Sequence, residues 1–215
     1  MPARPKARPA PATDVLARLH ESYPGADCSL AHADAFQLLI STILSAQCTD
    51  ARVNSVTPAL FRRFPSPAAM AGAGGELEEL VRSTGFFNAK ARSIRGACRM
   101  IVEAHGGLVP KTMEALHALP GVGRKTANVV LGNAWGAPDG VVVDTHVGRL
   151  ARRLGWSRHA DPVKVENDLN ALLPREAWVF VSHALILHGR RVCASRSPRC
   201  DACLLADLCP KTGVG

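Results

Sequence analysis

The chain has 215 residues and lacks any apolar run near the roughly 18 residues that span a bilayer. The best candidate, "WVFVSHALIL", is short and carries Ser182 and His183. The N-terminus, "MPARPKARPAPA", has no apolar signal core, so a cytoplasmic protein is expected, nucleoid-associated if bacterial. Strand-like alternation is scarce: only "GVVVD", residues 140–144, reads as extended. Internal repeats are missing. Acidic charge is short, with 18 Asp and Glu against 26 Lys and Arg, a net charge of +8. That balance points to a polyanionic partner. No basic amphipathic stretch offers bulky apolar anchors to a membrane surface, so nucleic acid fits the charge better.

What is present is helical periodicity. "DVLARLHESYPG" reads as a short helix ending at Pro24-Gly25, and "AFQLLISTILSAQCTD" as a helix apolar on nearly every face, suited to the middle of a bundle. "VNSVTPALFRRFPSP" is a helix stopped by prolines, and "ELEELVRSTGFF" one ended by Gly85. In "AKARSIRGACRMIVEAHGG", Ile94, Cys98, Ile101 and Val102 share a face. Val147, Leu150 and Leu154 do so in "THVGRLARRLGW", with the arginines elsewhere. The reading is an all-α fold of about ten helices, preceded by a disordered, proline-rich basic tail over residues 1–12.

The cysteines number seven, and four of them fall within residues 193–209. An odd count clustered at one end reads as metal binding rather than a disulfide framework. Cys193, Cys200, Cys203 and Cys209 have the spacing C-x6-C-x2-C-x5-C, and four soft thiolates suit zinc or an iron–sulfur cluster. Spacing alone leaves that choice open. Cys28, Cys48 and Cys98 read as small buried hydrophobes.

"HALPGVGRKTANVVL" reads as helix, tight turn, helix. Gly121 and Gly123 let the backbone turn and approach a partner, and the unpaired N–H groups opening the second helix form an anion site for a DNA phosphate. Lys125 lies in that first turn, where the helix dipole and a buried setting would lower its pKa. It is either a phosphate clamp or an amine nucleophile. Asp144 precedes a helical pattern and can cap it, take part in catalysis, or do both.

"LPGVGRKTA" resembles the helix-hairpin-helix of the endonuclease III family of DNA glycosylases. So do "VDTHVGRLARRLG" at 143–155, "LLISTILSAQCTDARVN" at 38–54 and the terminal cysteine spacing, in the family's order. The resemblance implies two helical lobes with a cleft and a C-terminal [4Fe–4S] loop. A helical-barrel lobe would take 28–138, and the second lobe 13–27 plus 139–215. It implies a bifunctional glycosylase and AP lyase acting on oxidised pyrimidines in damaged double-stranded DNA; nothing in the sequence marks an oligomer, and a monomer is the default expectation.

Within that pattern Lys125 matches the catalytic lysine and Asp144 the aspartate facing it. Gly121, Val122, Gly123 and Arg124 belong to the DNA-binding hairpin. Gln47 matches the glutamine that fills the space left by a flipped base, and Phe86 matches a wedge position usually occupied by leucine. From the residues alone, Phe86 or Phe87 is more often a core residue than a wedge. His146 reads as structural or substrate-orienting. Arg190, Arg191, Arg196 and Arg199 would bring the cluster loop to phosphates or balance an anionic cluster. Three other readings remain: an adenine glycosylase of the same superfamily, which typically lacks the lysine; an abasic-site lyase with weak glycosylase activity; and a non-catalytic DNA-binding or redox-sensing module.

Overall fold

The computed structural model describes residues 8–214, and every regular element among them is helical. Contacts divide the chain into two compact units, Cys28–Asp139 and a second made of Met1–Asp27 with Gly140–Gly215. None of the helices is long and apolar enough to cross a membrane.

In the unit Cys28–Asp139, helix α2 (Ala35–Leu44) is apolar all round and accordingly central, with Leu38, Leu39, Ile40 and Leu44 fully buried. Asp34 starts it by accepting the Gln37 N–H at 2.8 Å. Around it pack α3 (Asp50–Arg63), capped by Thr49, and α6 (Phe87–His105), which buries Ile94, Ala97, Cys98 and Ile101. Helix α8 (Arg124–Trp135) also lies against α2. Short helices α4 (Pro67–Ala71), α5 (Glu76–Val81) and α7 (Met113–His117) complete the unit. Ser66 caps α4, and Pro67 stands at its first position, where a missing N–H costs nothing. Helix α2 ends at Leu44, six residues before the end of the segment read as one helix; "SAQCT" forms a turn, and Asp50 opens α3.

The second unit joins α1 (Ala12–Ser22) to α9 (Thr145–Arg153), α10 (Pro162–Leu172) and α11 (Trp178–Arg191) around Val15, Leu19, Leu150, Val165, Leu169 and Leu185. Gly189 of α11 permits the close approach of α9, since a Cβ there would lie 2.9 Å from His146 Nδ1.

Residues 140–144 are not a strand. Their backbone donors go to side chains instead: Val141 N–H to Asn170 Oδ1 at 2.8 Å and Val142 N–H to Ser182 Oγ at 3.0 Å. Of the expected tail, residues 1–7 lie outside the described residues. Residues 8–12 are not loose. Ala10 is 3% exposed, its N–H donates to Leu154 O at 2.9 Å, and its carbonyl accepts from Trp156 Nε1 at 2.8 Å. The indole needs a partner when buried, and it finds one in this segment.

Candidate functional site

The hairpin is built as two helices, α7 and α8, joined by Ala118–Gly123. Gly121 has φ +78°, the left-handed region, and a Cβ on it would sit 2.6 Å from Ser93 Cβ of α6. Pro120 packs on α6 in the same way, 3.1 Å from where a Cβ on Gly96 would be. Only glycine therefore suits residue 121. Gly123 differs: its φ is −83° and nothing lies within 4 Å of the Cβ position. It is the N-cap of α8 and places no side chain on the helix start, so the first N–H groups there have no intrahelical acceptor and no side-chain cap. Val122 is buried between these exposed glycines and anchors the loop.

Lys125 projects from the first turn of α8 and is exposed, so the buried setting expected around it is not there. Arg124 beside it pairs with Asp139 at 3.1 Å. The backbone of Asp139 is held in turn by the buried Asn128, whose Oδ1 accepts its N–H at 2.8 Å.

Asp144 is half-buried and caps α9, its Oδ1 accepting the N–H groups of His146 and Val147, each at 2.8 Å. One carboxylate oxygen is thus fixed by the helix start. His146 Nδ1 lies 3.1 Å from Arg149 Nη2, and Arg149 also donates to the carbonyls of Gly189 (3.0 Å) and Cys193 (3.0 Å). Burial, then the neighbouring Arg153, push the Arg149 guanidinium below its usual value.

Gln47 and Phe86 both occupy turns of the unit Cys28–Asp139, and both have positive φ, +52° and +48°. Gln47 is exposed, and Phe86 is 67% exposed. Of the two adjacent phenylalanines, Phe87 packs on the core and Phe86 stands outside it.

The cysteine loop follows α11. Arg153, expected on an outer face of α9, is instead 6% exposed. Its guanidinium donates to Cys193 Sγ at 3.1 Å, Ala194 O at 2.7 Å and Ser195 O at 2.9 Å. Backbone N–H groups of Leu205 and Lys211 donate to Cys203 Sγ and Cys209 Sγ, each at 3.4 Å. Burial raises the thiol pKa of both Cys203 and Cys209, and the other loop cysteines add to it. Among the described residues no three His, Cys, Asp or Glu side chains are grouped closely enough to hold a single metal ion. The four loop sulfurs are partly buried, and N–H and guanidinium donors approach three of them, a setting that suits anionic sulfur. Arg190, Arg191, Arg196 and Arg199 are all exposed around this loop, and Arg199 donates to the Arg191 carbonyl.

Two residues that the sequence reading passed over hold the loop. His188 is 1% exposed, with Nδ1 2.9 Å from Tyr23 Oη and Nε2 3.4 Å from Cys203 Sγ. Burial depresses its pKa to about 4, so the ring is neutral. Arg18 of α1 forks onto Asp207 and donates to Leu204 O at 2.7 Å. The histidine is masked by the apolar run around it; a polar residue inside such a run is the signal that could have found it.

Over residues 40–175 the sequence matches the HhH-GPD superfamily of base excision DNA repair proteins. The chain is 56% identical to the endonuclease III of Synechocystis sp., with 93% of this chain and 91% of that protein covered. It is 43% identical to the endonuclease III of Escherichia coli K12, covering 91% and 93%. A solved structure of a trapped covalent intermediate between endonuclease III and DNA matches with a TM-score of 0.87 at 42% identity, covering 93% of this chain and 94% of that one.

Proposed function

From the premise that the chain belongs to the endonuclease III family of base excision repair enzymes, we propose that Lys125 is its nucleophile and oxidised pyrimidines in duplex DNA its substrates. The protein is a DNA glycosylase with AP lyase activity, and DNA is its partner. The observation that carries the assignment of Lys125 is its place beside the uncapped start of α8, which presents N–H groups to a backbone phosphate. A phosphate held there keeps the adjoining sugar within range of the amine.

The chemistry runs in balanced steps. The damaged nucleotide leaves the stack, at the cost of its stacking energy. Lys125, having given up a proton, attacks C1′ with its nitrogen lone pair, and the N-glycosidic bond breaks with its electrons passing to the base. Sugar-ring opening yields an imine between Nζ and C1′. Loss of a C2′ proton then expels the 3′ phosphate, and water releases the lysine by hydrolysis of the imine. Asp144 is the carboxylate that offsets positive charge on the sugar as the base departs, or takes the proton that Lys125 must lose. Its cap bonds hold one oxygen and orient the carboxylate. Gln47 and Phe86 fill the space left by the nucleotide, Gln47 by hydrogen bonding to the unpaired partner base and Phe86 by stacking. His146 takes the structural role, through Arg149.

Cys193, Cys200, Cys203 and Cys209 are the residues that would hold a [4Fe–4S] cluster, and the N–H and Arg153 donors around their sulfurs fit an anionic group. When bound, such a cluster ties together four points of an otherwise irregular loop. The exposed arginines of the loop, with the hairpin, supply phosphate contacts.

Borohydride trapping tests this reading on duplexes carrying either an abasic site or an oxidised pyrimidine. The wild type should crosslink to both, and Lys125→Ala to neither while still binding DNA. A crosslink to the abasic site alone would reduce the protein to a lyase on the lesion tested. No crosslink to either would leave Lys125 a phosphate clamp.

A further inference from the structure

Gln47 and Phe86 share an unusual property: both are side-chain-bearing residues in left-handed backbone conformations. Such conformations are costly and persist only where the surroundings over-determine them. Each residue comes just after an element ends. Helix α2 stops at Leu44, and the 3-10 turn Arg82–Thr84 stops one residue before Gly85. Carbonyls at such ends have run out of intrahelical donors.

Lys90 of α6 supplies those donors. It is a lysine only 6% exposed, and its Nζ donates to Leu44 O at 2.8 Å and to Thr84 O at 2.7 Å. One ammonium thus joins the two chain ends from which the Gln47 and Phe86 turns begin. Among the described residues its hydrogen-bond partners are these two carbonyls, with no carboxylate. A buried cation is an expensive way to hold a core together, and an apolar side chain would pack there at less cost. What an ammonium offers instead is several donors from a single point, which sets the distance between two loops.

We propose that Lys90 is a positioning residue that locks the Gln47 and Phe86 turns into one relative arrangement, so that both enter the duplex together when a nucleotide leaves the stack. This rests on the reading of Gln47 and Phe86 as the residues that fill the vacated space. Lys90 touches no reacting atom. Its effect lies in how completely the two turns insert, not in the attack by Lys125.

The test uses a duplex with an unreactive tetrahydrofuran abasic analogue opposite 2-aminopurine, whose fluorescence rises when insertion disturbs its stacking. Trapping on a single-stranded abasic site, which has no partner base to displace, is measured in parallel. At saturating protein, Lys90→Met should lower the fluorescence rise about tenfold, as expected for losing charged hydrogen bonds that select one loop arrangement, while single-strand trapping stays within about twofold of wild type. A full rise with trapping retained overturns the inference.

Gln47→Ala and Phe86→Ala are run alongside. If both leave the rise intact, the insertion reading itself fails and takes this inference with it. If they abolish the rise and Lys90→Met does not, only the inference about Lys90 fails. Should Lys90→Met lose single-strand trapping as well, through misfolding, Lys90→Gln decides. Its amide is one bond shorter and cannot reach both carbonyls, so the rise should fall at least about threefold. An undiminished rise in Lys90→Gln overturns the proposal.

Discussion

The two hairpin glycines are predicted to fail in opposite ways when changed to alanine. At residue 121 the backbone is left-handed, and the new methyl would stand 2.6 Å from Ser93 Cβ. That neighbour is not the far end of a flexible side chain, so the hairpin and α6 must separate. A left-handed alanine costs about 1–2 kcal/mol and the overpacking a further ~1–3 kcal/mol, giving about 2–5 kcal/mol for Gly121→Ala. At residue 123 the backbone is compatible with alanine and the methyl meets nothing within 4 Å. Loss of unfolded-chain entropy favours the variant by about 0.4–1 kcal/mol, and the poorer N-cap residue offsets this, so stability should stay within about 0.5 kcal/mol. The methyl would nonetheless stand where a phosphate approaches the α8 amides. Losing a charge-assisted hydrogen bond of about 1.5–3 kcal/mol corresponds to a tenfold to hundredfold weaker affinity for abasic DNA. Urea unfolding and DNA titration at fixed salt separate the two outcomes. A Gly121→Ala protein as stable as wild type would refute the account of the turn. A Gly123→Ala protein with undiminished DNA affinity would refute the phosphate site.

Three further outcomes are expected. Asp144→Asn retains an oxygen that can cap α9, so thermal unfolding should change little while turnover falls by about 10²–10⁴; Asp144→Ala should in addition lose about 1 kcal/mol of stability with the cap. Tyr23→Phe leaves buried His188 Nδ1 without its partner, which should cost about 1–3 kcal/mol in thermal unfolding. Arg95 holds the Glu78 carboxyl below the usual carboxylate range and joins α5 to α6. Because that pKa is depressed on folding, its stabilisation is present above the ordinary carboxylate value and lost as pH falls through the folded one. Glu78→Gln should flatten this part of the acid-unfolding curve.

The helical content was legible in the amphipathic repeats, and Asp144 in its capping position, where it accepts two backbone N–H groups; the caps Asp34, Thr49 and Ser66 show only in the structure. Gly121 was legible as a residue type tied to one backbone region. The end of α2 was not. No glycine or proline follows Leu44 to mark a stop, and the Leu44 carbonyl takes its donor from a lysine 46 residues away. Lys90 itself looks like any solvent-facing lysine on an amphipathic helix; only tertiary contacts bring it to two carbonyls. The segment at residues 140–144 reads as extended because it is β-branched, and its donors are satisfied by the side chains of Asn170 and Ser182 rather than by a neighbouring strand. Arg153 was misplaced because charge favours the outer face of a helix unless something anionic or carbonyl-rich lies beneath, and here the cysteine loop does.

The central claim is that Lys125 forms the covalent bond to DNA. Its most direct test is to trap the wild-type protein on an abasic duplex with borohydride, digest the adduct with protease and nuclease, and locate the reduced sugar remnant by mass spectrometry. The account predicts the remnant on Lys125 Nζ. A remnant on another amine, such as Lys90, Lys111 or the N-terminus, would contradict it.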